Sequence, residues 1–145
     1  MKRFYPTASG TVVCETDLDI TDVGGIMHAF LNNLRIGYAN VHICNKHIKI
    51  HKLEVYEKYR GKDFGNILMK FILEWCNKHG AFSANVHACS GITESMMKKG
   101  KGLTQEKSIH FYVKFGFIKT VDNWLIIRLK CCGDGIFPNV FYKGG

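Results

Sequence analysis

The stretch from residue 53 to residue 79 constrains the fold more than any other part of the chain. A short β-type run, Leu53–Val55, leads into a charged turn and then into the glycine-bearing segment Arg60–Gly65 (RGKDFG). A strongly periodic helix follows, with apolar pairs at 67/68, 71/72 and 75/76, and Gly80 suits its C-terminal stop. A strand, a glycine turn and a helix start in this order direct backbone N–H groups at one point. The stretch therefore predicts a site for a phosphate group.

Composition and charge narrow the class of protein. The chain has 145 residues, 46% hydrophobic and 22% charged, which predicts a single globular domain over 1–145 with its own core. The net charge of +8 favours a polyanionic partner: nucleic acid, an acidic protein or a phosphate-rich cofactor. No apolar run reaches the roughly 18–20 residues of a membrane span, and the N-terminus lacks an apolar signal core. We therefore expect a cytoplasmic protein without membrane contact.

The six cysteines are not arranged for metal binding. No C-x-x-C pair occurs, and the adjacent Cys131 and Cys132 are poorly placed to ligate one ion. Without a secretory context we interpret the cysteines as reduced and mostly part of the core. None has the helix-start and cation context of a nucleophile. The sequence predicts neither a metal site nor a covalent enzyme intermediate.

Hydrophobic periodicity predicts the remaining elements. Alternating apolar and polar residues predict strands over Thr11–Thr16, Tyr38–Cys44, His47–Val55 and Phe82–Cys89, and a closing hairpin of Phe117–Val121 and Asn123–Leu129. Helical spacing predicts helices over Ile20–Leu34, after Gly65, and over Leu103–Phe115, and Ser90–Gly102 is predicted to be a loop. The fold class that follows is α+β: a twisted, mixed but mostly antiparallel sheet of about six to seven strands, flanked by helices.

Two glycines interrupt the first predicted helix. Gly24 and Gly25 weaken it by about 1 kcal/mol each relative to alanine. They mark either a break between two short helices or a close approach of a ligand to the backbone, and we favour the structural explanation.

Two segments resemble the GNAT superfamily of N-acetyltransferases. Tyr59–Gly65 (YRGKDFG) is similar to the family's segment of Arg or Gln, two residues, Gly, one residue, and Gly or Ala, which opens its main helix. Ser108–Phe117 (SIHFYVKFGF) is similar to the family's A-x-x-F-Y-x-x-x-G-F segment. The order of elements from about residue 36 to residue 130 also fits. The resemblance implies a GNAT-like fold and transfer of an acetyl group from acetyl-CoA to a primary amine.

The resemblance implies a coenzyme A site at the turn after residue 55. The residues that would bind the cofactor are Leu53, Val55, Arg60, Gly61, Lys62, Asp63, Phe64, Gly65 and Asn66. The backbone of Leu53 and Val55 would pair with the pantetheine arm like an added strand, and the turn would hold the diphosphate. The family's middle glycine is Asp63 here, and a carboxylate repels a diphosphate by roughly 1 kcal/mol or more. Aspartate does tolerate left-handed backbone angles, and it suits a helix N-cap.

The resemblance also assigns a general acid. A tyrosine at the position of Tyr112 lies near the thioester sulfur in the family and protonates the departing thiolate. Helical spacing alone would favour a core aromatic residue at this position, but the flanking F-Y-x-x-x-G-F pattern favours the catalytic role.

The general base is left open among residues of one strand. In several family members a histidine or glutamate of this strand is the base, so the candidates here are His51 first, His47 second and Glu54 third. The ordinary pKa of histidine lies near working pH, whereas that of Glu54 would have to rise. His87 and His110 are two further histidines near the expected cleft.

The acceptor is also left open. The short N-terminal region and the basic charge suit a protein or an aminoacyl-tRNA, but an open cleft would equally serve a small amine. The alternative function is a catalytically degenerate GNAT-fold module that binds nucleic acid or a protein partner through the basic loop Lys98–Lys101. The oligomeric state is open, and a dimer is one possibility.

Overall fold

Eight strands form one mixed sheet in the computed structural model, which describes residues 1–88 and 105–129. The strands are β1 (Lys2–Thr7), β2 (Gly10–Glu15), β3 (Gly24–Leu31), β4 (Leu34–Cys44), β5 (His47–Val55), β6 (Ser83–His87), β7 (Ile118–Lys119) and β8 (Trp124–Arg128). The helices are α1 (Phe64–His79) and α2 (Gln105–Lys114), with a 3-10 turn at Glu57–Tyr59. The predicted α+β class is confirmed, with one or two more strands than expected.

The order of the strands across the sheet is β1-β2-β3-β4-β5-β6-β8-β7. All neighbouring pairs are antiparallel except β5 and β6, which are parallel and are connected through α1. No helix in the described ranges combines the length and the apolar character needed to cross a membrane. The predicted loop Ser90–Gly102, with its lysine cluster, and the glycine-rich tail lie outside the described residues.

The predicted helix over Ile20–Leu34 is wrong. This segment contains β3, in which Met27, Ala29 and Leu31 are buried and alternate with more exposed residues. Apolar residues are so frequent here that the same positions satisfy both a helical and a strand period. The hydrogen-bonding partners on β2 and β4 then decide in favour of the strand. The first strand, β1, was not predicted at all.

The two glycines of this segment allow close packing within the fold. A Cβ atom at Gly24 would lie 2.4 Å from the carbonyl oxygen of Val41, and one at Gly25 would lie 2.7 Å from Cδ2 of Leu18. Both glycines therefore have a structural role, but it is close packing at the start of β3 and not the expected break between two helices.

The β4–β5 hairpin follows the prediction closely. Asn45 and Lys46 form its two-residue turn with φ values of 49° and 64°, as expected of a type I′ turn. The closing hairpin turns in the same way at Asp122 and Asn123, but its strands are shorter than predicted.

Both helices pack on the same face of the sheet. Phe71 and Trp75 of α1 are fully buried, and the Trp75 indole N–H donates to the carbonyl oxygen of Leu18 at 3.2 Å. On the α2 side, a Cβ atom at Gly116 would lie 3.4 Å from Ile127 of β8. Gly80 ends α1 with a left-handed φ of 72°, as predicted. The opposite face carries polar and aromatic side chains of β3, β4 and β5.

Candidate active site

Strands β5 and β6 separate after a short parallel pairing. Their register runs from His47 opposite Ser83 to Ile50 opposite Val86 and then stops, while β5 continues to Val55 beside β4. We call the space between residues 51–55 of β5 and the end of β6 the opening. A parallel pair that diverges in this way leaves one edge of β5 without a neighbouring strand.

The backbone groups at this edge can be assigned. The N–H of Tyr56 donates to the carbonyl oxygen of Ile36, next to β4, at 2.9 Å. Because backbone groups alternate in direction along a strand, Leu53 and Val55 direct theirs away from β4, toward the opening. An extended ligand can therefore add to this edge as an extra strand.

His51 lies where the opening begins, at a β-bulge. Asn40 pairs with Lys52 and Val41 pairs with Ile50, so His51 has no residue opposite it on β4. The bulge also shifts the alternation of the strand. As a result Ile48 and Ile50 before it, and Leu53 and Val55 after it, all contribute to the core.

The side chain of His51 contacts a second histidine, and one of its ring nitrogens is buried without a hydrogen bond. Its ring centroid lies 3.8 Å from that of His42 on β4, and the rings meet at 61°. Its Nε2 atom is buried and has no hydrogen-bond partner among the described residues. Burial lowers the pKa of His51, and the charges of His42 and Lys49 lower it further. A neutral imidazole with an unbonded nitrogen can accept a proton, and a buried polar atom without a partner is one that a ligand or water satisfies.

The turn after β5 presents unused backbone donors. Gly61 and Asp63 both adopt left-handed backbone angles, with φ of 80° and 63°. The first hydrogen bond of α1 joins the N–H of Ile67 to the carbonyl oxygen of Asp63 at 3.2 Å. Within the described residues, no hydrogen bond uses the N–H groups of the first three helical residues, 64–66, and no side chain caps them. These groups and the helix dipole suit an anion.

Asp63 belongs to a small network that links the two helices. It occupies the N-cap position, as its residue type predicts, but its side chain makes no cap bond. Its Oδ1 atom instead accepts from Nδ2 of Asn66 at 3.1 Å, and Oδ1 of Asn66 accepts from Nζ of Lys114 at 3.2 Å. Lys114 thus brings a cation from α2 to the turn. Its role was not predicted from the sequence, although it lies within the segment 108–117 that resembles the family.

The remaining residues of the turn differ in their exposure and in the elements that they contact. Nε of Arg60 donates to the carbonyl oxygen of Val55 at 2.8 Å, which ties the turn to the end of β5. Lys62 is exposed, whereas Phe64 is only 2% exposed, so that Phe64 offers the turn its backbone alone. A Cβ atom at Gly65 would lie 3.7 Å from the ring of Phe111. The start of α1 and the helix α2 are therefore in contact.

Tyr112 is buried on α2, directly after Phe111. It is 4% exposed, and its ring centroid lies 5.1 Å from that of Phe111 and 5.7 Å from that of Phe117. Burial raises the pKa of Tyr112 to about 12. The phenol therefore keeps its proton throughout the physiological range and can act as a donor.

The remaining candidate bases have surroundings that differ from those of His51. His47 begins β5, about 13 Å along the strand from His51, and its Nδ1 atom lies 2.7 Å from Oγ of Ser83. Glu54 is close along the strand, but it pairs with Tyr38 on the face opposite the helices and lies 3.9 Å from Nζ of Lys52. His87 contacts the carbonyl oxygen of Asp122 at 2.9 Å, and His110 is exposed on α2.

Two of the three cysteines that the structure describes are buried thiols. Cys14 and Cys76 are buried, and burial raises the pKa of each to about 12, so that both remain thiols. Cys44 is exposed, and Cys89, Cys131 and Cys132 lie outside the described residues. Among residues 1–88 and 105–129, no group of three side chains is arranged to hold a metal ion.

Comparison with known proteins agrees with this geometry. Residues 3–117 match the acetyltransferase (GNAT) family, and the chain belongs to that family. The resemblance predicted from the sequence is thereby confirmed. A comparison with curated proteins finds no matching relative.

Solved structures share the fold at low sequence identity. The ribosomal-protein-S18-alanine N-acetyltransferase of Escherichia coli has a TM-score of 0.58 and 12% identity, with 80% of this chain and 76% of that chain covered. A GNAT family acetyltransferase of Elizabethkingia anophelis with acetyl-CoA bound has a TM-score of 0.56 and 18% identity, with 74% and 77% covered. Nourseothricin acetyltransferase has a TM-score of 0.53 and 17% identity, with 89% and 84% covered.

Proposed function

We propose that the protein is an acetyl-CoA-dependent N-acetyltransferase that transfers the acetyl group to a primary amine by direct attack. The observation that carries this proposal is the opening itself. The unpaired edge of β5 leads directly to the unused N–H groups at the start of α1. A strand edge followed by an anion site matches the two parts of coenzyme A, an amide-bearing arm and a diphosphate. Related folds that hold coenzyme A or acetyl-CoA support the same assignment.

The residues of this chain fit the cofactor. The N–H groups of residues 64–66, together with Arg60 and Lys62, would hold the diphosphate. Leu53 and the N–H of Val55 would pair with the pantetheine arm, because the carbonyl oxygen of Val55 already accepts from Arg60. When bound, acetyl-CoA supplies a thioester whose carbonyl carbon the amine attacks.

Two side chains, His51 at the opening and Tyr112 on α2, would handle the two protons of the reaction. His51 takes the proton of the attacking amine at its unbonded Nε2, and its lowered pKa keeps it neutral near pH 7. Tyr112 donates its phenolic proton to the departing sulfur. Glu54, farther along β5, is the alternative base. The acceptor is a small amine, a protein or an aminoacyl-tRNA, each of which offers a primary amine.

Acetyl-CoA should raise the melting temperature of the protein. A ligand that binds only the folded state at 100 times its dissociation constant stabilises it by about 2.7 kcal/mol. Differential scanning fluorimetry with acetyl-CoA, and with cysteamine as a control that lacks the diphosphate, measures the shift. No shift at millimolar acetyl-CoA, together with a salt-dependent affinity for RNA, would contradict the proposal and favour the nucleic-acid-binding alternative. A screen of amine acceptors then follows.

Replacing Asp63 with asparagine should tighten acetyl-CoA binding, on the order of five-fold at low salt. The change removes a negative charge beside the diphosphate site, and a unit charge contributes about 1 kcal/mol at 4 Å in water. Asparagine also tolerates the left-handed backbone and keeps an acceptor for Asn66. Calorimetric dissociation constants at two salt concentrations measure the effect. The matched control is Asp22→Asn, far from the turn, and an equal gain in that variant would show that net charge alone is responsible.

A further inference from the structure

The contact between His42 and His51 has no role in the mechanism so far. His42 is an exposed residue of β4 whose backbone lies between Gly24 of β3 and Lys49 of β5. Its ring meets the ring of His51 edge-on, with 3.8 Å between the centroids. The two side chains thus touch across the bulge, on the face opposite the helices.

The neighbouring strand leaves room for this arrangement. A Cβ atom at Gly24 would lie 3.2 Å from Cδ2 of His42 and 3.1 Å from its Cα atom. Any other residue at position 24 would therefore crowd the ring of His42. Gly24 is therefore needed for two reasons: it allows the close pairing of β3 with β4, and it leaves space for the ring of His42.

His51 needs an outside contact to fix its orientation. As the extra residue of a bulge it has no cross-strand partner. Its buried Nε2 atom makes no hydrogen bond within the described residues, so no polar contact at that atom holds the ring. The ring of His42 is the close aromatic neighbour of His51 in the described structure.

We propose that His42 is a positioning residue for His51: its ring holds the His51 imidazole at the opening with Nε2 unbonded and ready for the proton of the attacking amine. The proposal rests on the proposed acetyl transfer and on His51 as its base. In that step the amine nitrogen forms a bond to the thioester carbon and the carbon–sulfur bond breaks. The amine proton passes to His51 and the sulfur receives the proton of Tyr112, with no oxidation or reduction. His42 touches none of the reacting atoms and acts through His51 alone.

The charges around the pair have a consistent sign. The groups that act on His51 are His42 from β4 and Lys49 from its own strand, and both lower its pKa in addition to the effect of burial. Beyond Lys49, the ring centroid of Trp124 from β8 lies 4.8 Å from Nζ, and the ring of His87 from β6 meets the Trp124 ring edge-on. Removing the His42 ring exposes His51 to water and removes a positive neighbour, so both changes move the pKa of His51 upward.

Two variants of His42 test the proposal. His42→Ala removes the ring, and His42→Phe keeps an aromatic ring without the charge. With acetyl-CoA and n-butylamine as the probe acceptor, His42→Ala should lower kcat on the order of ten-fold, less than the roughly 10²–10⁴ that loss of a base costs. The KM for acetyl-CoA should not change. His42→Phe should recover most of the lost kcat, because the packing of the ring is restored.

An NMR-monitored pH titration of the His51 ring in the intact labelled protein gives a readout that does not depend on activity. We expect the pKa of His51 to rise in His42→Ala and to change less in His42→Phe. The control is His28→Gln, on the same face, whose ring contacts Arg35 and Phe30 instead. An unchanged His51 titration in His42→Ala, or an equal change in His28→Gln, overturns the positioning role. Full activity of His51→Gln, or no binding of acetyl-CoA by the wild type, instead counts against the proposed function.

Discussion

Replacing Tyr112 with phenylalanine should lower kcat by about 10²-fold and leave the dissociation constant of acetyl-CoA nearly unchanged. General acid catalysis contributes roughly 10²–10⁴-fold. Burial raises the pKa of Tyr112 to about 12, which makes the phenol a weaker acid, so we expect the lower end of that range. Phenylalanine keeps the ring packing against Phe111 and Phe117 and removes only the hydroxyl group. Steady-state kinetics with a calorimetric binding measurement separate the two effects.

A second tyrosine provides the matched control for this experiment. The hydroxyl group of Tyr5, on β1, donates to Glu74 of α1 at 3.1 Å, at the other end of the sheet. Tyr5→Phe makes the same chemical change and should leave kcat as it is. Because Tyr112 keeps its proton to high pH, the wild type should show no loss of kcat from this group below about pH 11. Equal turnover of Tyr112→Phe and wild type would show that Tyr112 is a core residue, as helical spacing alone permits.

Replacing His51 with glutamine should lower kcat by about 10²–10⁴-fold, which is the usual contribution of a general base. The wild-type kcat should fall on the acid side of the pKa of His51. Burial places that pKa below the ordinary value of about 6.5, so activity should persist to a lower pH than an unperturbed histidine would allow. A pH profile of kcat for wild type and variant measures both effects. If Glu54→Gln abolishes turnover and His51→Gln does not, Glu54 is the base.

The same residue links stability to pH. The folded-state pKa of His51 is depressed, so the unfolded chain binds a proton more readily than the folded chain does. The free energy of unfolding should therefore decrease as the pH falls below about 6.5 and approaches the folded-state pKa. His51→Gln should weaken this pH dependence, whereas His28→Gln should retain it. Urea unfolding at a series of pH values provides the measurement.

The parts of the fold that could be predicted are those fixed by local chemistry. The helix α1 has a clean apolar stripe and a glycine at its end, and the turn at Asn45 and Lys46 separates two alternating runs. In both cases one local conformation satisfies every residue. The strand β3 could not be predicted in this way, because two periods fit the apolar residues of its segment. Pairing with distant partners then decided the outcome.

The site shows the same division. The anion-binding turn and Tyr112 follow from residues close together in sequence. The contact between His42 and His51 depends on a bulge between two strands. The spacing of residues within either strand does not predict this contact. The network from Asp63 through Asn66 to Lys114 depends on how α2 docks beside α1. Register shifts and helix docking are determined by tertiary packing. Local sequence patterns therefore identify candidate residue types but do not predict which of them come into contact.

The brief parallel pairing of β5 with β6 has a consequence for the cooperativity of the domain. Residues 1–55 form a continuous antiparallel meander, and the strands that follow α1 form a second, smaller part of the sheet. Only the four pairs from His47–Ser83 to Ile50–Val86 join the two parts through strand register. Cooperative units often coincide with supersecondary motifs, so we expect this seam to be a boundary between two units that open separately in hydrogen exchange. A molecule bound along the free edge of β5 would bridge that boundary and make the two units open as one.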